Sequence, residues 1–233
     1  MNELLLYQEE DGFLFNSDSH YLYDFISKFN PRGEILDVGS GCGILGLLVA
    51  RDFRVNLTTI DIQKNSFLLT KQNAKVNSLD VDAICGDFLE SEFEKKFDFI
   101  ISNPPYYHES VVKSENEKLK IARYEDSLRL EKFIKRAKKL LNPRGHLIFC
   151  HDSKQIGKIF ELLKAEKLSV EDIRFVHGSD KKQSHLVFIH SRLGSNSPTK
   201  IYPPLIATVD GEFSDEVKRI YEKTRTYSIK CRV

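Results

Sequence analysis

The stretch Glu34-Ile-Leu-Asp37-Val-Gly39-Ser-Gly41-Cys-Gly43-Ile-Leu-Gly46 passes from a short apolar run, through a glycine-rich turn, into a longer apolar run that ends near Phe53. The short run reads as a buried strand and the longer one as a helix. A strand feeding a helix through such a turn opens a parallel sheet flanked by helices. Glycines there let the backbone bend sharply and come close to a ligand, and the helix start behind them offers unpaired N–H groups.

The same alternation continues outward from this unit. Strands are predicted at Glu34–Val38, Val55–Ile60, Val81–Cys85, Phe97–Ser102 and His146–Cys150, with helices at Ile44–Phe53, Lys64–Val76, Ser127–Leu141 and Ile156–Ala165. In the third of these helices Leu130, Phe133, Ile134, Ala137, Leu140 and Leu141 fall on one face, and Pro143 and Gly145 end it. Val170–Val176 and Ser184–His190 are separated only by a polar turn, so they close the sheet as an antiparallel pair. The expectation is an α/β, Rossmann-like fold whose mostly parallel, seven-stranded sheet carries an antiparallel closing strand.

Residues 1–193 are expected to form one domain, with 1–33 as a lead segment before the first strand. Residues 103–126 hold almost no apolar periodicity and read as a long substrate loop. Residues 194–233 begin as a Gly/Ser/Asn/Pro linker and end in a basic tail, expected to pack on the same domain. From Val217 onward the tail holds Lys218, Arg219, Lys223, Arg225, Lys230 and Arg232 against Glu222 alone. It is either an RNA backbone contact or a plain surface helix.

Composition excludes several classes. The chain has 233 residues, 41% hydrophobic and 30% charged, as expected of a globule with a sizeable core. Its 35 basic and 34 acidic residues leave a net charge of +1, too little to grip nucleic acid by bulk charge. No apolar run approaches the ~18 residues of a membrane span. The acidic N-terminus also lacks the features of a secretory signal. The four cysteines, Cys42, Cys85, Cys150 and Cys231, show no CxxC pair, and the histidines show no ligand spacing. Neither a zinc site nor a disulfide framework is expected. A reduced, cytoplasmic monomer is the default expectation.

Candidate cofactor residues cluster at strand ends. Asp61 follows the glycine turn by about 20 residues, where an acidic side chain can accept both ribose hydroxyls. Gly41-x-Gly43-x-x-Gly46 alone would satisfy a dinucleotide fingerprint. Asp37, however, places a carboxylate beside the turn, a poor neighbour for pyrophosphate and a good one for an ammonium or sulfonium. Asp87, in Cys85-Gly-Asp-Phe88, ends the third strand where it could bind an exocyclic adenine amine. Together these residues point to an adenosine-bearing, positively charged cofactor. Cys42 reads as a small packing residue within the turn.

The fourth strand ends in Ser102-Asn103-Pro104-Pro105-Tyr106-Tyr107, at the sheet edge where doubly wound folds place their chemistry. The two prolines stiffen the main chain and set its carbonyl directions. The Asn103 carboxamide oxygen and the Pro104 carbonyl then form two fixed acceptors for one –NH2 group. The lone pair of an amine on a planar base or a carboxamide is delocalised and weakly nucleophilic. Two acceptors can hold it more tetrahedral and aim it at an electrophile. Tyr106 offers a stacking face worth about 1–3 kcal/mol per base. The chemistry indicated is methyl transfer to a planar nitrogen, with no metal required. His108, just beyond, reads as a solvated loop histidine.

With DVGSGCG, Asp61, CGDF and NPPYY in this order, the chain resembles class I S-adenosylmethionine-dependent methyltransferases of the N6-adenine/glutamine type. Within that group, the lead segment around Gly12, Phe15, Asp18, Ser19 and Leu22, the NPPYY and Ala122-Arg123 are similar to bacterial tRNA1(Val) adenine N6-methyltransferases. The resemblance implies S-adenosylmethionine as cofactor, a tRNA substrate near the anticodon, and the class I methyltransferase fold. It implies cofactor contacts at Asp18, Ser19, Asp37, Gly39, Gly41, Asp61, Asp87, Phe88 and Asn103. It also implies a catalytic set of Asn103, Pro104, Pro105 and Tyr106. Three alternatives stand beside it: a release-factor glutamine N5-methyltransferase, a DNA N6-adenine methyltransferase, and a non-catalytic RNA-binding module. Few residues precede Asp37 for the helical domain of the first, and the tail is small for a DNA-reading region.

Overall fold

A computed structural model of the chain describes residues 3–10, 15–104 and 130–231. Its first half runs β1 (Leu4–Glu9), α1 (Ser17–Ser27), β2 (Gly33–Val38), α2 (Ile44–Asp52), β3 (Val55–Asp61), α3 (Lys64–Val76), β4 (Val81–Cys85) and β5 (Phe97–Ser102). After it come α4 (Leu130–Leu140), β6 (Leu141–Asp152), a 3-10 turn (Ser153–Gln155), α5 (Ile156–Ala165), β7 (Leu168–Ser179) and β8 (Ser184–Leu193). The chain closes with β9 (Lys200–Ile201), β10 (Leu205–Val209), β11 (Glu212–Phe213), α6 (Asp215–Thr224) and β12 (Thr226–Cys231).

The main sheet has the order β11-β10-β7-β8-β6-β5-β2-β3-β4, with β9 on β7. The strands from β4 to β6 run parallel, and β8 runs antiparallel to both β6 and β7. This is the expected mostly parallel α/β sheet, but among the described residues it has ten strands rather than seven. The three extra strands come from the segment read as linker and tail, which lays β9 and β10 along the edge of β7. An exposed strand edge is a row of unpaired N–H and C=O groups, and short added strands cover it.

Consecutive residues in the central strands enter opposite layers. Ile35, Phe99, Ile101, Ile148 and Phe188 join a core with α1 and α2, while Leu36, Ile100, Phe149 and Ile189 join a second with α4 and α5. Burial on both faces explains why these strands are continuously apolar. The order reverses at β2, which pairs β3 on one side and β5 on the other. Ligands bind in such folds where the strand order reverses, outside the carboxyl ends of the strands.

The lead segment is structured too, as β1 and α1. Residues Asp18 to Tyr23, with Phe25 and Ile26, are buried, so α1 is enclosed almost all round and shows no clean apolar stripe. β1 pairs in parallel with β12, tying the two ends of the described chain together. Its other edge meets two asparagines, Asn73 of α3 and Asn77, which caps that helix. Asn77 and Asn73 take the N–H groups of Leu5 and Tyr7 at 2.9 and 2.7 Å and donate to the carbonyls of the same residues.

The tail forms α6 and β12. Ser214 caps α6 through the Val217 N–H, and Val217, Ile220 and Thr224 are buried. Lys223 reaches Asp24 Oδ1 at 2.9 Å, and Lys218 lies 3.9 Å from Asp215. Two of the tail's cations thus have carboxylate partners within the fold. Among the described residues, no helix is long and apolar enough to cross a membrane.

Candidate active site

The glycine turn leaves β2 at Val38. Gly39, Gly41 and Gly43 all have positive φ, at 69°, 58° and 87°, which L side chains rarely adopt. A Cβ added at Gly39 or Gly41 would meet nothing within 4 Å, so both border open space. The turn is held from β3, because the Gly39 N–H donates to the Ile60 carbonyl at 2.9 Å. Gly43 is the N-cap of α2 and offers no side-chain oxygen, and its own N–H donates to the Ser40 carbonyl at 2.8 Å.

Two buried carboxylates brace this turn from either side. Asp37 Oδ2 accepts the Gly46 N–H at 2.9 Å, and burial pushes its carboxyl up to about 7 against the pull of that donor. Asp61 Oδ2 accepts the Gly41 N–H at 2.8 Å, and its other oxygen accepts the Gln63 N–H at 2.8 Å. Burial raises the Asp61 carboxyl as well. Both groups would gain from a cationic or hydroxyl-bearing ligand that compensates their desolvation.

β5 delivers Asn103 beside the turn. Ser102 Oγ donates to the Val38 carbonyl at 2.7 Å, pinning the end of β5 to the end of β2. Asn103 Nδ2 donates to Ser19 Oγ on α1 at 3.2 Å, and Asn103 Oδ1 accepts from Cys150 Sγ on β6 at 2.8 Å. Pro104 is buried behind it. Pro105, Tyr106, the 105–126 part of the expected loop, His108 and Ala122-Arg123 lie outside the described residues.

These pieces enclose a cleft with about 410 Å³ of empty space, part of it open to solvent. Of the residues expected from sequence, Ser19, Asp37, Gly39, Gly41 and Asn103 line it. Asp61 reaches it through Gly41. Asp18 sits one residue from Ser19 and accepts from Asn16 Nδ2 at 2.9 Å. Asp87 and Phe88 stand apart. Asp87 Oδ1 closes its own turn on the Leu89 N–H at 2.8 Å, and Phe88 packs on Phe93 and Phe133 in the second core.

Sequence reasoning did not single out Ser40, Ile44 or Leu45, which also line the cleft; it named Phe15 only within the lead-segment resemblance and read Cys42, a further lining residue, as packing. Phe15 is held in place by Gln8, whose side-chain oxygen accepts the Phe15 N–H at 2.9 Å. Its position depends on β1, which carries no motif. Ile62, next to Asp61, is 54% exposed, an unusual state for an isoleucine at a strand end. A large aliphatic side chain beside a ribose acceptor can cover the face of a purine.

Far from the cleft, Asp172 Oδ2, His190 and His146 form a hydrogen-bonded chain with links of 2.7 and 2.8 Å. Glu171, Asp172 and His190 come within 4.8 Å of one another there. The His190 Nδ1 that would face an ion is already engaged by Asp172.

The family model of the methyltransferase small domain matches residues 17–171. A tRNA1(Val) (adenine(37)-N6)-methyltransferase of Parabacteroides distasonis is 32% identical over 58% of this chain and 59% of its own length. One of the same name from Flavobacterium johnsoniae is 28% identical over 78% of this chain and 80% of its own length. The chain therefore spans about three-fifths of the first relative. Among solved structures, a predicted O-methyltransferase of Agrobacterium tumefaciens superposes with a TM-score of 0.69 at 15% identity. That superposition covers 91% of this chain and 99% of the other.

Proposed function

The chain belongs to the methyltransferase small domain family, and on that premise we propose that it transfers a methyl group from S-adenosylmethionine to the N6 amine of an adenine in tRNA, near the anticodon. The observation that carries this reading is the placement of Asn103, the head of the Asn-Pro-Pro-Tyr motif, in the same cleft as the glycine turn and Asp37. The names of the curated relatives support tRNA as the acceptor.

The residues fit the cofactor. Gly39 and Gly41 leave open space above the turn, and Asp61 stands beside it with a carboxylate suited to ribose hydroxyls. The buried Asp37 carboxylate is stabilised in its ionised form by a nearby positive charge. Asp87 and Ile62 are assigned to the adenine end, and Asp18 and Ser19 to the methionine end. S-adenosylmethionine, when bound, supplies an electrophilic methyl group on a sulfonium.

The chain's own part is orientation and charge. Asn103 Oδ1 and the Pro104 carbonyl accept the two hydrogens of the adenine amine, drawing its lone pair out of conjugation. Tyr106 stacks on the extruded base. An anticodon-loop adenine is already unpaired, so extrusion costs little and a small protein suffices. Residues 103–126 serve as the substrate loop, and the protein works as a cytoplasmic monomer.

The test is transfer of labelled methyl from S-adenosylmethionine to total bacterial RNA, with genomic DNA and release factor as parallel acceptors. N6-methyladenosine in tRNA is the expected product. Label confined to release factor would mean that the motif clamps a glutamine amide instead. Asn103→Ala should abolish turnover and leave cofactor affinity nearly unchanged; wild-type turnover would remove the amine-clamping role.

A further inference from the structure

An asparagine can serve as an amine acceptor only if its carboxamide turns the oxygen, not the nitrogen, toward the amine. The two ends are nearly the same shape, so the choice falls to their neighbours. Among the described residues, the side chains that hydrogen-bond the Asn103 carboxamide are two, from different elements. Ser19 Oγ, on α1, accepts from Nδ2 at 3.2 Å. Cys150 Sγ, on β6 immediately beside the end of β5, donates to Oδ1 at 2.8 Å.

The thiol is suited to this part. Cys150 is fully buried, and that burial, together with the negative charge of Asp18, raises its pKa well above the ordinary thiol value. It therefore stays protonated and carries a donor. A carboxamide oxygen has two lone pairs, so one remains for a substrate amine after the thiol has taken the other. Among the described residues, loss of that donor would leave the carboxamide held at its nitrogen end alone, by a bond at the long end of the normal range.

We propose that Cys150 and Ser19 are positioning residues, forming a bracket that holds the Asn103 carboxamide with its oxygen available to the substrate amine. The inference rests on the reading of Asn103 given above, and it assigns to the buried thiol a role that neither the glycine turn nor the Asn-Pro-Pro-Tyr motif contains.

Two measurements test it. In the first, Cys150→Ala and Cys150→Ser are compared with wild type for kcat, KM for tRNA and cofactor Kd. Loss of one hydrogen bond that orients the acceptor should lower kcat about three- to tenfold in the alanine variant. KM and cofactor Kd should move little. The serine variant, which keeps an O–H donor of similar size, should recover most of the rate. Ser19→Ala should act in the same direction as Cys150→Ala. A kcat for Cys150→Ala equal to wild type, or a serine variant no better than alanine, would overturn the proposal.

The second measurement needs no turnover. The infrared S–H stretching band of Cys150, isolated as the difference between wild type and Cys150→Ala, should lie below the free-thiol position and rise in Asn103→Ala. A band at the free position in wild type, or one unmoved by Asn103→Ala, would overturn the bracket whatever the enzyme methylates. Wild type that methylates no adenine, with the band shifted as expected, would instead overturn the function and leave the bracket standing.

Discussion

Burial beside the glycine turn raises Asp37 from the usual carboxylate range to about 7, even with the Gly46 N–H as a partner. Its folded pKa lies above its unfolded one, so the folded state holds the extra proton between the two. Stability from this group is full below about pH 4, the unfolded carboxylate range. It is lost as pH rises through about 7. Cofactor affinity should run the other way, rising from pH 6 to 8 as Asp37 ionises opposite a cation. Asp37→Asn keeps an acceptor for Gly46 and should flatten both profiles, as pH-dependent melting and titration calorimetry would show. The neighbouring glycines are required for two different reasons. Gly46 has no room for a side chain, since its Cβ would come within 2.9 Å of Asp37 Oδ2 and 3.1 Å of Leu57. Gly41 has room but a φ of +58°, so Gly41→Ala should cost about 1–2 kcal/mol of backbone strain. The variant should melt roughly 2–8 °C lower and bind cofactor more weakly, because Gly41 also donates to Asp61. Wild-type melting would show that the turn relaxes at no cost.

At the scale of elements, α3 does more than cover the sheet. Asn73, four residues from Asn77, is fully buried and donates to both the Tyr7 and Cys42 carbonyls, at 3.0 and 2.8 Å, while accepting the Tyr7 N–H. One side chain thus links β1 to the glycine turn. Asn73→Ala would leave three main-chain groups short of a partner, at a cost of about 2–3 kcal/mol. The expected fall in Tm is roughly 4–12 °C. Asn77→Ala, at a half-buried position, should cost less. If the two variants melted alike, Asn73 would not be the link described. The helices and strands around the turn were legible from residue patterns because each buries apolar residues at a regular period. α3, α5, β4 and β5 begin and end where the sequence places them. β6 starts earlier than expected, at Leu141, because Leu141 pairs with Phe97 before the ladder breaks across Pro143 and resumes at His146. α1 and β1 escaped detection for one shared reason, that neither confines its apolar residues to one face. One is buried nearly all round, and in the other Leu4 and Leu6 alternate with half-buried neighbours that are also apolar.

Over the whole molecule, the parallel pairing of β1 with β12 joins segments from the two ends of the chain. A chain ending at Arg225 should lose that partner, melt at lower temperature and exchange the β1 amides faster. Unchanged protection of β1 would mean that α3 alone holds it. The same pairing explains the divide between what sequence and structure each decided. Periodicity and turn chemistry act over a few residues, so the residue order by itself determined the α/β class, the glycine turn, Asp61 and the Asn-Pro-Pro head at a strand end. Other features depend on side-chain partners brought together only by the fold or on crowding from several elements at once. Only the tertiary structure decided that the tail widens the sheet, to ten strands among the described residues. It alone showed that Gln8 seats Phe15 at the cleft, that Asp87 and Phe88 stand outside its lining, and that a buried thiol on β6 holds the Asn103 carboxamide. No local pattern encodes these contacts, because a hydrogen bond that the fold closes between particular groups leaves no period in the sequence.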